Sequence, residues 1–313
     1  MKKIGVLFGT EDTFPWALMD RINSMNAPDV HADMIKFDGV RMGEPTGYRV
    51  IIDRISHEIP FYRAAMKNAV MAGSFVVNNP FSSGVEDRFF NGTLASKLGL
   101  AVPKAVALPH YQHPAGATEK SLRNLRYPLD WDAIFAYVGF PAVLKPSGVQ
   151  GSVYQVNSPE EFFKAYHDTG ARSMMLQEAV TSEECFRCYV VNQKLVHVMR
   201  YDPRQPEHLR YVLDGDPIAP ALHGRLVRDC LVLCRAAGAD LNAIEFAIRD
   251  GVPYAVDFFN PVPDADLQSV GPDNFRWVVS AVAEMAVEKA LSDEKPLREY
   301  RWTAFLDQPL LTS

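Results

Sequence analysis

Ala243-Ile244-Glu245-Phe246-Ala247-Ile248, then Arg249-Asp250-Gly251, then Tyr254-Ala255-Val256-Asp257-Phe258-Phe259-Asn260: two apolar runs joined by a short polar turn have the pattern of an antiparallel hairpin. Each run carries an acid in its interior. A carboxylate inside a half-buried strand is costly unless it is paired, hydrogen-bonded or bound to metal. On adjacent strands Glu245 and Asp257 can converge, and the amide oxygen of Asn260 can join them. Oxygen-only ligands suit Mg²⁺ and not zinc. A divalent cation held there would bridge the carboxylates to a polyphosphate and offset both sets of charge. The competing reading is two carboxylates on a solvated sheet face. The alternation weakens it, because one face of each arm is otherwise apolar.

Upstream, Pro141-Ala142-Val143-Leu144-Lys145-Pro146 reads as a short strand with a lysine near its end, and Ser147-Gly148-Val149-Gln150-Gly151-Ser152 as a flexible loop behind it. Glycines let backbone N–H groups converge on an anion, and the ammonium supplies a point charge. The lysine precedes the glycines, so this is not a P-loop; alone, the segment reads more readily as a surface hairpin with an exposed lysine. Met174-Met175-Leu176-Gln177-Glu178-Ala179-Val180 is a strand that runs into the acidic Glu183-Glu184. Backbone groups at such a strand end can pair with a purine edge, and a nearby carboxylate can accept from two vicinal hydroxyls. The plain alternative is a solvated acidic turn. Phe186–Val191 and Leu195–Tyr201 flank Asn192-Gln193-Lys194 as a further hairpin, Gly224–Ala237 is an apolar helix stopped by Gly238, and Phe275–Ser292 is a final amphipathic helix.

The N-terminal third alternates strand and helix. Ile4–Phe8, Val30–Phe37, Val50–Ile55 and Ser74–Val77 read as strands, with helices at Trp16–Ser24 and Phe61–Ala72. This rhythm predicts a small open parallel sheet. A helix over Gly84–Gly99, a short strand over Ala101–Pro109, a polar loop over His110–Arg126 and a helix over Asp130–Val138 lead to the lysine strand. Ser158, Pro159 and Glu161 mark a helix start after the returning strand Val153–Val156.

The chain has 313 residues, 48% of them hydrophobic, enough for a substantial core divided among two or three lobes. A formal charge of −6 gives no support to general affinity for nucleic acid or anionic membranes. No run of about eighteen apolar residues is present, and Met1–Phe8 is too short and too soon followed by Glu11 and Asp12 to be a signal peptide. A cytoplasmic location is expected. Cys185 and Cys188 sit three apart on a strand and point to opposite faces, so the four cysteines are expected to be inert thiols.

Taken in order, these stretches resemble the ATP-grasp superfamily, especially its branch of glutathione synthetases, D-alanine ligases and ribosomal-protein glutamate ligases. The resemblance rests on Phe140–Pro146, Gly148–Ser152, Leu176–Val180, Phe186–Val191 and the Glu245…Asp257…Asn260 hairpin, and covers nearly the whole chain. It implies an α/β chain (α+β in its ATP-grasp part): an N-terminal open parallel βαβ sheet in residues 1–100, then two ATP-grasp lobes with antiparallel sheets, in residues 101–176 and 177–313. It implies ATP and Mg²⁺ as cofactors, with Lys145 on the phosphates and the Gly148, Gly151 and Ser152 loop closing over them. Gln177, Glu178 and Val180 would surround adenine, and Glu184, or Glu183, would take the ribose. Glu245, Asp257 and Asn260 would hold Mg²⁺, and Arg187 and Arg200 would face the transferred phosphate or the substrate carboxylate.

The implied reaction is a carboxylate–amine ligation through an acylphosphate, on an amino acid or short peptide. A small-molecule kinase and a non-catalytic nucleotide binder are the alternatives. The implied partners are small-molecule carboxylate and amine substrates, with no nucleic acid and no membrane; the family often forms homodimers. The chain departs from the family pattern in three places. The expected second lysine is matched only by Arg88. Glu245 stands where Asp is usual. Two residues, not one, separate Asp257 from Asn260, which a β-bulge would absorb. Arg204 and Arg210, the His110–His113 segment, and Asp264, Asp266, Gln268 and Ser269 are further candidates for substrate contact, by adjacency.

Overall fold

The computed structural model describes residues 1–81, 87–148, 151–182, 184–212 and 215–295. Glu183, Val149, Gln150 and residues 84–86 of the expected third helix lie outside them. The chain begins with β1 (Lys2–Leu7), α1 (Phe14–Ser24), β2 (Val30–Met34), β3 (Val50–Asp53), α2 (Pro60–Met71) and β4 (Phe75–Val77). The strands are all parallel, in the order β2-β1-β3-β4. Their near-continuous apolar runs follow from burial on both faces: Ile4, Val6, Val50 and Ile52 enter one core, Leu7, Ile51 and Val76 another. The second strand stops at Met34, short of the expected Phe37.

Helix α3 (Arg88–Lys97) starts at Asp87, whose carboxylate accepts from Phe90 N–H at 2.8 Å. Then come β5 (Ala105–Leu108), α4 (Trp131–Val138), β6 (Ala142–Pro146), β7 (Tyr154–Val156), α5 (Pro159–Asp168) and β8 (Met174–Glu178). They form an antiparallel sheet ordered β5-β8-β6-β7. Of the expected strand over 101–109 only 105–108 joins this sheet, and Ala101 instead bridges to Tyr254. Ser158 caps α5 as expected, its hydroxyl accepting from Glu161 N–H at 3.3 Å. Phe162 and Tyr166 of α5 pack on Leu144 and Leu176.

The rest is β9 (Cys185–Val191), β10 (Leu195–Tyr201), β11 (Tyr211–Val212), α6 (Pro220–Ala237), β12 (Leu241–Arg249), β13 (Val252–Asn260), α7 (Leu267–Val270) and α8 (Pro272–Leu291). The strands make an antiparallel sheet ordered β11-β10-β9-β12-β13. Gly238 ends α6 in the left-handed region at φ 69°, where a side chain would be strained. Alternation divides this sheet. Phe186, Cys188, Val190, Ile244 and Phe246 face α3 and α6. Tyr189, Val191, Met199, Tyr201 and Ala243 face the other way, into a core shared with α8, α1 and the N-terminal sheet. That core therefore spans both sides of residue 100. No helix among the described residues is long and apolar enough to cross a membrane.

Candidate active site

The β12–β13 hairpin places its acids as the spacing suggests. Glu245 lies directly opposite Asp257, while Ala243 lies opposite Asn260 and Phe246 opposite Ala255. The pairing slips on either side of Glu245, so β13 carries the extra residues of a bulge. Phe258 and Phe259, though consecutive, therefore both pack into the α3–α6 core. Asp257 and Asn260 are left on the face that carries Glu245. The irregular spacing is absorbed by the backbone.

On the other side of β12, Glu245 faces Arg187 of β9. The Arg187 Nη1 group donates to Glu245 Oε1 at 2.8 Å and to the Tyr201 hydroxyl at 3.2 Å. With its amide oriented to satisfy both ends, Asn260 accepts from Arg187 Nη2 at 2.6 Å and donates to Val262 O at 3.0 Å. One guanidinium thus joins two of the three candidate metal ligands. Burial pushes the Glu245 carboxyl above the ordinary carboxylate range; Arg187 opposes that shift and the like charge of Asp257 adds to it.

Lys145 reaches this face from the middle lobe. Its Nζ donates to Val256 O at 3.0 Å, and Gln177 Nε2 reaches the same carbonyl at 3.4 Å, so β6 and β8 dock on the edge strand β13. Burial lowers the lysine below its usual range; Asp257 and Glu245 oppose this and Arg88 adds to it. Arg88 is close because its backbone N–H donates to Ser147 O at 2.9 Å and its guanidinium reaches Pro146 O at 3.4 Å. Gly151 lies at φ 134°, and a Cβ there would stand 2.6 Å from Pro146 Cγ, so the loop behind Lys145 needs glycine to fold back on its strand. Gly148 is half-buried and Ser152 is exposed.

The lobe junction is less uniform. The Glu178 carboxylate pairs with Arg249 at 2.6 Å and accepts from Lys104 N–H at 3.2 Å, which ties β8 to the hairpin, and its own N–H donates to Lys104 O at 2.8 Å. Burial raises its pKa, but these partners outweigh it and hold the carboxyl below the ordinary range. Val180 is partly exposed in the following loop. Glu184 pairs with Arg200, whose guanidinium also donates to Asp216 O at 2.9 Å and stacks over Phe186. Arg200 sits opposite Phe186, on the sheet face turned away from Arg187. The structure does not bring the two arginines together, because strand parity gives the inward position to Tyr201.

A cavity of about 520 Å³ adjoins the Arg187 face. One wall is the loops after β1 and β3, with Glu11, Arg54 and His57; the other carries Arg187, Tyr201, Arg210 and Asn260. Tyr211, Asp264 and Ser269 also line it. Tyr189 and Tyr211 share a 2.8 Å hydrogen bond, and burial raises both phenols, Tyr189 to about 12. Of the residues named by adjacency, Arg210, Asp264 and Ser269 reach this cavity. Asp266 instead holds the start of α1, accepting from Thr13 N–H and Phe14 N–H, each at 3.0 Å. Gln268 is exposed, and Arg204 pairs with Asp202 at 2.8 Å. His110–His113 line a separate cavity of about 580 Å³ on the middle lobe. Sequence reasoning missed Glu11 and Arg54; the signal available was a charged residue just past the carboxyl end of each inner parallel strand.

Among the described residues no cluster of three or more His, Cys, Asp or Glu could hold a metal. The four cysteines are free, and three are fully buried. Two facing carboxylates and an amide oxygen nevertheless fit Mg²⁺, which takes one or two carboxylates and completes its shell with water and substrate phosphates.

No protein-family model matches the chain, and no curated protein is a significant match in sequence. Solved structures are similar over nearly all of it. A RimK-domain ATP-grasp protein from Sphaerobacter thermophilus aligns with TM-score 0.65 and 16% identity, covering 93% of this chain and 100% of that one. D-alanine–D-alanine ligase from Bacillus anthracis in complex with ATP aligns with TM-score 0.64 and 14% identity, covering 93% and 97%. The macrocyclase MdnC from Microcystis aeruginosa, bound to its precursor peptide MdnA, aligns with TM-score 0.63 and 13% identity, covering 92% and 100%. At these identities the likeness is one of fold: the chain has the ATP-grasp fold, a parallel sheet followed by antiparallel ones.

Proposed function

Starting from the ATP-grasp fold, we propose that the chain is an ATP-dependent carboxylate–amine ligase. The observation that carries the reading is the meeting, at the junction of two lobes, of Lys145, Glu245, Asp257, Asn260 and Arg187 on one face. Two cationic side chains, two carboxylates and an amide in that arrangement suit a polyphosphate with a bound divalent cation on one side and a carboxylate on the other. In this reading Glu245, Asp257 and Asn260 hold Mg²⁺, which when bound neutralises phosphate charge. Lys145 and Arg88 contact the phosphates, and Gly148, Gly151 and Ser152 border them. Gln177, Glu178 and Val180 border the base, and Glu184 the ribose, with Arg200 holding that carboxylate.

The chain's own part in the reaction is alignment and charge stabilisation. Arg187 orients the acid, whose carboxylate oxygen attacks the γ-phosphorus as the bond to the β-bridging oxygen breaks, releasing ADP. An amine then adds to the acylphosphate carbonyl and expels phosphate, losing one proton to solvent or a nearby base. No protein side chain has to form a covalent bond. The substrates are a small acid and an amine, both admitted through the cavity beside Arg187.

The experiment is ADP and phosphate release over a panel of acids with and without amines. Release that needs both an acid and an amine, with kcat/KM cut by Arg187→Met, supports the reading. ADP release driven by an alcohol in place of the acid would identify a kinase instead. Nucleotide binding with no release under any acceptor would leave a non-catalytic binder.

A further inference from the structure

The N-terminal sheet changes direction at β1, which leads to β2 on one side while β3 lies on the other. In open parallel sheets, ligands bind in the crevice beyond the carboxyl ends of such a strand pair. Here the crevice is formed by Gly9–Glu11 after β1 and Arg54–Glu58 after β3, and it is one wall of the 520 Å³ cavity. The two loops touch there: a Cβ on Gly9 would stand 2.2 Å from Ile55 Cδ1.

Arg54 dominates that wall, with its side chain only 1% exposed. Its Nε donates to Glu11 at 2.9 Å, its Nη2 to Glu11 and to Pro263 O, and the guanidinium lies over the Phe14 ring. These contacts fix its plane. They leave Nη1 buried and without a hydrogen-bond partner among the described residues. Across the cavity Arg187 Nε is in the same state. Arg210 also lines the cavity, with its Nε on the carbonyl of Gln205 at 3.1 Å. Each guanidinium is already paired, Arg54 with Glu11 and Arg187 with Glu245, and Glu11, Glu58 and Asp264 also line the cavity. What remains on each of the two arginines is one buried N–H direction left unmade, which is expensive and which a carboxylate oxygen would complete.

We infer that Arg54 is a specificity-determining residue that binds a second carboxylate, remote from the reacting one, so that the acid substrate is a small dicarboxylate. The inference rests on the ligase reading only in taking Arg187 as the partner of the reacting carboxylate; the anion position at Arg54 stands on the crevice itself. The cavity volume is that of a small-molecule site.

The test is calorimetry on the full chain, without nucleotide, using succinate and glutarate beside their monoamides. The diacids are expected to bind roughly 10- to 100-fold more tightly than the monoamides, the ratio of one charge-assisted hydrogen-bonded contact. The preference should vanish in the double variant Arg54→Met/Glu11→Gln, which leaves no unpaired acid behind. It should be partly retained in Arg54→Lys, which keeps the charge but not the fork. The inference is overturned by equal binding of diacid and monoamide to the wild type, by a preference that survives in the double variant, or by no diacid binding at all. If the double variant does not fold, the wild-type ratio and Arg54→Lys still decide. ADP release separates the two claims. Diacid binding that follows Arg54 without ADP formation keeps the subsite and removes the ligase. ADP formation from monocarboxylates with KM unchanged in Arg54→Lys does the reverse.

Discussion

Glu245→Leu is expected to destabilise the chain by about 3 kcal/mol, and adding Arg187→Met to it to restore most of the loss. The magnitude comes from the geometry of the pair. Arg187 is 9% exposed and Glu245 25%, and they meet at 2.8 Å between neighbouring strands. Removing one partner of a buried ion pair costs about 3–5 kcal/mol, because the other charge is stranded, whereas apolar replacement of both is often close to neutral. The lower end applies for two reasons. Glu245 retains some solvent, and its loss relieves repulsion with Asp257 while Tyr201 and Asn260 still hold the guanidinium. The assay is urea unfolding of the wild type, the two single variants and the double variant, compared at equal m. A single-variant loss under about 0.5 kcal/mol, the range of ordinary surface substitutions, would show that the pair is solvated. A double variant as unstable as the sum of the singles would show that the two residues are not coupled.

Three further outcomes follow from the same geometry. Burial raises the Asp266 carboxyl, but the N–H groups of Phe14 and Thr13 outweigh it, so its folded pKa lies below the unfolded value. Its stabilisation is therefore present above the unfolded pKa and lost as pH falls through the folded one; Asp266→Ala should cost about 1–2 kcal/mol at neutral pH and progressively less in acid, measured by denaturant unfolding across pH. Gly151→Ala, at φ 134° and against Pro146, should strain the loop by roughly 1–3 kcal/mol and raise the KM for ATP more than that for the acid. Arg200→Met should raise the KM for ATP through Glu184 and leave the KM for the acid unchanged, whereas Arg187→Met should do the opposite; identical effects on the acid would place both arginines on one face.

Much of the fold was legible because its signals are local. The N-terminal strands are apolar runs of the right length, and Ser158, Gly238 and the polar turns Asn192–Lys194 and Arg249–Gly251 punctuate the chain where the structure turns. The Glu245–Asp257 pairing followed from acids inside two apolar arms of one hairpin. The face of Arg200 was also available: a hairpin that turns at Asn192–Lys194 pairs Leu195 with Val191, and counting back puts Arg200 opposite Phe186. The bulge was needed to bring Asn260 to Glu245, but its position depends on where Phe258 and Phe259 both find core, which is tertiary information. Arg54 was not legible. Nothing near it in sequence shows that Glu11 and Pro263 close around it, because the crevice forms only when β1, β3 and the segment after β13 come together. The same is true of Asp266, which reads as a neighbour of the hairpin but works on a helix more than two hundred residues away in sequence.

The most direct test of the account is titration of the purified chain with ATP, with and without Mg²⁺, by calorimetry, beside Lys145→Ala and Asp257→Ala. Mg²⁺-dependent binding to the wild type is expected, weakened roughly tenfold or more in Lys145→Ala by loss of a charge-assisted contact, and in Asp257→Ala binding that no longer responds to Mg²⁺. No ATP binding by the wild type, or binding that neither substitution affects, would contradict it.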